Sequence, residues 1–237
     1  MRKQLDFSIR RQPDDLTCGP TCLHSVYQYL NHPLSLEQVI SEVEMLGDGG
    51  TLAANLGAHA IERGFDTKIY TFNVKVFDPT WFSDSTVNIK EKLRQQSKAK
   101  AANAKLAYVS DAYLRYLEKG GTVGFEVEIM EIVKENLLNS TPIIAGLSAT
   151  FLYRCMREIP DTMVSDDVKG EPSGHFVVLT GIDLQKNSIS VSDPYKANPY
   201  SEYLKYEINA NHLISAILLG VVTYDANLLA IKLPEVL

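Results

Sequence analysis

The chain has 237 residues, 45% of them hydrophobic and 22% charged, which is ordinary for a soluble globular protein with a sizeable core. The net charge of −6 and the pI of about 5.4 argue against general nucleic-acid binding, which usually needs a basic face. The first ten residues lack the apolar stretch of a secretory signal, and the longest apolar run, residues 213–222, is too short for a membrane span, so we expect a cytoplasmic protein without a membrane partner.

Helices dominate the elements predicted for the first part of the chain. Pro20 suits the first turn of a helix, and Thr17 is its candidate N-cap. Ser35 and Gln38 form a capping-box pattern that predicts a second helix. The predicted helices span residues 21–30, 36–45, 51–63, 84–118 and 126–138, and a strand is predicted over residues 65–76.

The segment 90–105 carries the main local charge anomaly, with six basic side chains and one acidic side chain. A solvated helix surface is the simplest interpretation, since most charge runs are of this kind. The alternative is a docking surface for an acidic peptide or a protein partner.

Strands dominate the last part of the chain. We predict strands over residues 143–147, 176–182 and 188–192, a helix over 211–219, and a final hairpin of 221–224 with 228–232. This segregation of helices and strands predicts an α+β fold rather than an alternating α/β sheet. We expect a single domain over residues 1–237, with a helical subdomain at about 12–140 and a β-rich subdomain at about 141–237.

Cys18 is a candidate nucleophile because it precedes a predicted helix. The N–H groups and the positive end of the helix dipole favour a thiolate at that position. Gln12 lies six residues upstream on a segment predicted to be extended. Its side-chain N–H and the backbone N–H of Cys18 together can form an oxyanion hole.

A cysteine nucleophile needs a base and a group that orients the base. His175 enters one predicted strand and Asp193 ends the next, so an antiparallel hairpin brings the two together. The chain order of cysteine, histidine and aspartate is the papain-type order. Gly174, Ser148 and Tyr195 are weaker candidates for lining the substrate cleft.

Several segments around these residues resemble the peptidase C39-like family, a branch of the papain-like cysteine peptidases. They are TCGPTCL at 17–23, the segment 49–73, GHFVVL at 174–179 and VSDPY at 191–195, together with Gln12. The resemblance covers most of the chain and implies a papain-like fold and a peptide or peptide-like substrate, with no cofactor and no metal.

By the same resemblance, Cys18 is the nucleophile, His175 the general base and acid, Asp193 the orienting group and Gln12 the oxyanion donor. The best-known members of the family cleave leader peptides as domains of export transporters. This sequence has no phosphate-binding motif of an ATPase, so it is more similar to a stand-alone member, and leader-peptide specificity is not carried over.

Three other interpretations stay open at this stage. An acyl or peptidyl transferase uses the same triad when an amine, rather than water, accepts the acyl group. A non-catalytic peptide-binding module keeps the fold without the chemistry. A redox or metal pair formed by Cys18 and Cys22 is the third, although we expect Cys22 to be buried packing and Cys155 to have no catalytic role.

Overall fold

The structure of the protein, a computed structural model, describes residues 1–47, 49–160 and 162–234. In these ranges the helices are α1 Cys18–Tyr29, α2 Leu36–Glu42, α3 Ala53–Glu62, α4 Ile89–Ala99, α5 Ala104–Glu118, α6 Ile129–Leu138, α7 Ala149–Tyr153 and α8 Ala210–Leu219. The strands are β1 Arg2–Gln4, β2 Asp66–Thr71, β3 Thr122–Gly124, β4 Ile143–Ser148, β5 Glu158–Ile159, β6 Val164–Ser165, β7 Gly174–Asp183, β8 Ser188–Ser192, β9 Lys205–Asn209 and β10 Asn227–Lys232.

The central sheet has the strand order β3-β2-β10-β4-β7-β8-β9, and β1 pairs with the far end of β7. All neighbouring strands in this sheet are antiparallel except β2 and β3. Strands β5 and β6 form a separate small hairpin. The sheet therefore draws strands from both parts of the chain, and the proposed subdomain division near residue 140 stays a prediction.

Helix α1 carries the candidate nucleophile at its first residue and packs against β7. Its first ten residues are all buried. Gly19 allows α1 to approach its neighbours closely. A Cβ at this position would overlap the side chain of Thr51 and press on Phe176. Thr17 occupies the predicted cap position, but its hydroxyl donates to the Asp14 carbonyl instead of capping the helix.

Two predicted helix boundaries are wrong for local reasons. Ser35 accepts a hydrogen bond from the Gln38 N–H at 3.1 Å, as expected, but the Gln38 side chain bonds Glu42 instead of completing the capping box. This helix ends at Glu42, earlier than the predicted end at residue 45. The predicted helix over 84–118 is two helices, because Asn103 caps a new start by accepting from the Leu106 N–H.

The basic segment 90–105 is divided by this break. On α4 only Leu93 is buried, and Arg94 donates to Glu118 at 2.7 Å. Lys105 belongs to α5 and lines the cleft described below. A protein partner for this segment stays a prediction.

The predicted final hairpin is wrong. Residues Gly220–Thr223 continue α8 as a 3-10 helix, and Tyr224 ends it with a φ of 68°. Strand β10 instead pairs with β2 and β4, which come from distant parts of the sequence. Within the described ranges, none of the helices combines the length and the apolar character needed to cross a membrane.

Candidate active site

The relative position of His175 and Asp193 depends on an irregularity in the β7–β8 hairpin. Between Leu179 and Gly181 the register shifts by one residue, because β7 carries an extra residue without a counterpart on β8. Side chains alternate between the sheet faces, so a one-residue shift exchanges the faces of everything beyond it. With the shift, Asp193 follows β8 on the face that carries His175, and the two side chains meet.

His175 lies between a carboxylate and a thiol. Its Nε2 is 2.9 Å from Asp193 Oδ1, and its side chain also interacts with Cys18. Because Nε2 faces Asp193, Nδ1 is the nitrogen left for Cys18. His175 is 7% exposed and Asp193 is fully buried, so water competes little with these contacts.

Asp193 accepts four hydrogen bonds from the described residues, two at each carboxylate oxygen. The Tyr195 N–H joins His175 at Oδ1, at 2.9 Å. The hydroxyls of Tyr153 and Tyr206 both donate to Oδ2, at 2.7 and 2.9 Å. Burial would raise the pKa of Asp193, but the charge of His175 and these hydrogen bonds hold it below its ordinary value. The carboxylate is therefore a fixed anion.

The two tyrosines that bind Asp193 remain hydrogen-bond donors. Burial and the charge of Asp193 raise the pKa of both Tyr153 and Tyr206. Tyr153 also packs beside the His175 ring, with 5.9 Å between the ring centroids.

The imidazole of His175 is held in its charged form. Burial would lower its pKa, but the charges of Asp193 and Cys18 and its hydrogen bonds outweigh burial and raise the pKa to about 10. An imidazolium beside Cys18 favours the thiolate, which is the nucleophilic form of cysteine.

Cys18 lies at the N-terminal end of α1 and is 9% exposed. In the part of the chain that the structure describes, its backbone N–H has no hydrogen-bond partner. That N–H is available to a developing oxyanion.

A backbone hydrogen bond holds Gln12 next to the segment that carries Asp193. Its backbone N–H donates to the Pro194 carbonyl at 3.0 Å, next to Asp193. Its Nε2 donates to the Asp14 carbonyl at 2.8 Å, which leaves one N–H of the amide for another acceptor. Gln12 is 6% exposed, and its Oε1 has no partner among the described residues.

Two pockets meet at Gly174 and His175. The tyrosine-side pocket has a volume of about 440 Å³ and includes Gln12, Tyr153 and Tyr195 in its lining. The cysteine-side pocket has a volume of about 230 Å³ and includes Cys18, Lys105 and Asp225. Together they form a cleft across the candidate catalytic residues.

The three weaker candidates differ in where the structure places them. Tyr195 lines the tyrosine-side pocket, and Gly174 lines both pockets. A Cβ on Gly174 would overlap the carboxylate of Asp225, so the position requires glycine. Ser148 lines neither pocket, because it is 3% exposed and its Oγ accepts from the Phe151 N–H to cap α7.

Asp225 is a second buried carboxyl group near His175. Its Oδ2 accepts a hydrogen bond from the Thr223 hydroxyl at 2.6 Å. Burial raises its pKa to about 7, although Thr223 and the charges of His175 and Lys105 act in the opposite direction.

The other two cysteines differ from Cys18. Cys22 is fully buried, and its Sγ donates to the Phe176 carbonyl at 3.3 Å. Burial, followed by the charges of Cys18 and Asp193, raises the pKa of the Cys22 thiol well above its ordinary value. Cys155 lines the tyrosine-side pocket, and burial raises its pKa as well. All three thiols are free.

Sequence reasoning missed the two tyrosines that bind Asp193. Tyr206 had a detectable signal, since polar and apolar residues alternate along residues 205–209, as in a half-buried strand. Tyr153 had none, because α7 is only five residues long and follows β4 directly. Asp225 falls in the turn of the wrongly predicted hairpin, so the sequence gives no reason to place it near His175.

Comparison with known proteins is consistent with this geometry. The model of the family described as "Peptidase_C39 like family" matches residues 4–214. No curated protein matches the chain. Among solved structures, the chain is similar to a protein from Bacillus anthracis assigned as a C39-like peptidase, with 13% identity, a TM-score of 0.55 and full coverage of both chains. That likeness confirms the predicted papain-like α+β fold.

Two further structures have lower TM-scores. One is a double glycine motif protease from an AMS/PCAT transporter in complex with the leader peptide, with 16% identity, a TM-score of 0.47 and coverage of 98% of this chain and 95% of the other. The second is the peptidase domain of Streptococcus ComA, a bifunctional ABC transporter involved in quorum sensing, with 12% identity, a TM-score of 0.46 and coverage of 96% and 99%.

Proposed function

Since the chain belongs to the Peptidase_C39 like family, a family of cysteine peptidases, we propose that it hydrolyses an amide bond in a peptide or peptide-like substrate with Cys18 as the nucleophile. His175 is the general acid and base, Asp193 orients it, and Gln12 completes the oxyanion hole. Cys18 must stay reduced for this chemistry, so a reducing compartment such as the cytoplasm is part of the proposal.

In the first step the thiolate of Cys18 attacks the carbonyl carbon of the scissile amide. The negative charge that develops on the carbonyl oxygen is stabilised by the Cys18 backbone N–H and the free N–H of the Gln12 amide. The imidazolium of His175 gives its proton to the leaving nitrogen, the C–N bond breaks, and an acyl thioester remains on Cys18.

In the second step the neutral imidazole of His175 takes a proton from water, and the water oxygen attacks the thioester carbon. The C–S bond breaks, the acid product leaves, and the thiolate–imidazolium pair is restored. Asp193 keeps Nε2 protonated throughout, so that Nδ1 exchanges the proton on the side of Cys18.

The observation that carries this proposal is the position of His175 between Asp193 and Cys18, with a pKa raised to about 10 by those two neighbours. Structural ion pairs also perturb pKa values. Here the charged histidine lies in a cleft beside a thiol at a helix N-terminus, which is the microenvironment of a reactive cysteine.

The experiment is product analysis on peptide pools with the wild type, Cys18→Ala and His175→Ala, with and without an added primary amine. We expect the wild type alone to produce new carboxyl termini. If the added amine yields new amides at the expense of acids, the protein is a transferase rather than a hydrolase. Equal turnover by all three proteins would disprove the site.

A further inference from the structure

The tyrosine-side pocket has an acidic wall next to the proposed catalytic centre. Among the described residues, Asp15 and Glu158 are the acidic side chains in its lining, His175 is the basic one, and neither lysine nor arginine contributes to it. Asp15 comes from the segment before α1, and Glu158 from β5. The two carboxylates thus approach the same space from opposite parts of the sequence.

Both of these carboxylates are unpaired in the described part of the chain. Among the described residues, no hydrogen bond or ion pair is formed by the side chain of Asp15 or Glu158. The basic residues nearest to Glu158 along the chain are directed elsewhere, since Arg154 contacts His212 and Arg157 donates to the Asp167 carbonyl. Burial and then the charge of Asp15 raise the pKa of Glu158, as expected for two like charges that line one pocket.

A second observation also indicates a ligand that donates hydrogen bonds. Gln12 lines the same pocket, is 94% buried, and has a side-chain oxygen without a partner in the described ranges. A buried acceptor without a donor costs free energy, and a ligand that brings donors removes that cost. The rings of Tyr153 and Tyr195 form another wall, and aromatic faces attract cations.

We propose that the tyrosine-side pocket binds a positively charged ammonium or guanidinium group of the substrate. The group is either the side chain of a lysine or arginine close to the scissile bond or the free α-amino group of a short peptide. This specificity rests on the proposed peptidase function, because it assigns a substrate class to that same site. Acidic or neutral groups at that position are disfavoured, since they leave both carboxylates without a partner of opposite charge.

Binding can be measured without turnover by calorimetric titration of the Cys18→Ala protein. The probes are acetylated, amidated hexaalanine peptides with one arginine, or one citrulline as its neutral isostere, at each position in turn. We expect at least one position at which arginine binds about tenfold more tightly than citrulline, as for a partly buried charge pair, and the difference should shrink at high salt. A third arm uses hexaalanine amide with a free α-amino group, which distinguishes the two sources of the cation.

The variants Asp15→Asn and Glu158→Gln, alone and combined, test whether the pocket is responsible. The combined variant should reduce the arginine-to-citrulline ratio to below about threefold, since no formal negative charge then remains in the lining. Glu171→Gln is the matched control. Glu171 pairs with Glu158 through the backbone but does not line the pocket, so this variant should keep the preference.

The outcomes separate this inference from the proposed function. A preference for arginine that disappears in the combined variant supports the pocket, even if the wild type cleaves none of these peptides. Equal binding of arginine and citrulline peptides at every position overturns the inference, whether or not the wild type is a peptidase. A preference that persists in the combined variant also overturns it.

Discussion

Two buried carboxyl groups near His175, Asp193 and Asp225, have opposite electrostatic character. Asp193 is fully buried and accepts four hydrogen bonds from the described residues, and its pKa lies below the ordinary value. Asp225 is 7% exposed and accepts the Thr223 hydroxyl, and burial raises its pKa to about 7. Burial is common to both, so the number of donors and the direct contact with His175 decide which carboxyl group is a permanent anion.

The comparison predicts that Asp193 orients the base and that Asp225 does not. Asp193→Ala should lower kcat/KM by a factor of about 10³–10⁴, because no acceptor then holds Nε2 of His175 protonated and the anion that stabilises the imidazolium is lost. Asp225→Asn should lower it by less than about tenfold, since its carboxyl group has no hydrogen bond to His175. Steady-state kinetics on a cleaved peptide measures both, and similar losses in the two variants would contradict the assignment.

The raised pKa of Asp225 predicts a pH dependence of stability. The folded protein holds the Asp225 proton up to about pH 7, whereas the unfolded chain releases it near its ordinary value of 3.8. The contribution is fully present below the unfolded pKa and is lost as pH rises through 7. Asp225→Asn removes it, so the variant should gain up to about 4 kcal/mol relative to the wild type between pH 4 and pH 8, at about 1.4 kcal/mol per unit.

Urea unfolding followed by circular dichroism checks this difference. Subtracting the wild type removes the contributions of the other titrating groups, including His175. Parallel stability curves for the two proteins would show that Asp225 titrates normally and would remove the contrast with Asp193.

Each of the two tyrosines that donate to Asp193 defines a smaller effect. Removing both hydroxyls with Tyr153→Phe and Tyr206→Phe takes two of the four donors from Asp193 and should cost about 1.5–3 kcal/mol for each lost bond to the charged group. If the tyrosines position the anion, kcat should fall while KM changes little. The pKa of His175, followed by NMR, should rise, because the carboxylate of Asp193 is less shielded without the two hydroxyl donors and stabilises the imidazolium more.

Tyr200→Phe is the matched control for the tyrosine variants. Its hydroxyl donates to the Leu152 carbonyl rather than to Asp193, and its ring packs against Tyr206 at a tilt of 40°. An equal shift of the His175 pKa in this control would assign the effect to packing.

The sequence predicts the site best where the geometry is local. His175 and Asp193 lie at the open end of one hairpin, and Cys18 lies at a helix start, so strand and helix patterns place them. The Tyr153 and Tyr206 contacts depend on tertiary packing that no periodicity records. The register shift that aligns His175 with Asp193 is equally invisible, because one extra residue in β7 leaves the hydrophobic run intact.

The fold shows the same limit. The α+β class follows from the order of helical and strand patterns, but β10 was assigned to a local hairpin, whereas it pairs with β2 and β4. Long-range pairing is decided by the packing of the whole sheet rather than by the residues beside a turn. Ser148 is a candidate cleft residue by sequence, but the structure buries it. Its hydroxyl caps α7, a short helix that the sequence pattern does not predict.

The central claim is that Cys18 is the nucleophile and that His175 activates it. The most direct measurement is the rate of labelling by an acyl electrophile near neutral pH, located by mass spectrometry in the wild type, Cys18→Ala and His175→Ala. The account predicts fast labelling at Cys18 in the wild type, none at that position in Cys18→Ala, and labelling slowed by at least about tenfold in His175→Ala. Labelling of Cys22 or Cys155 as fast as Cys18, or an unchanged rate without His175, would contradict it.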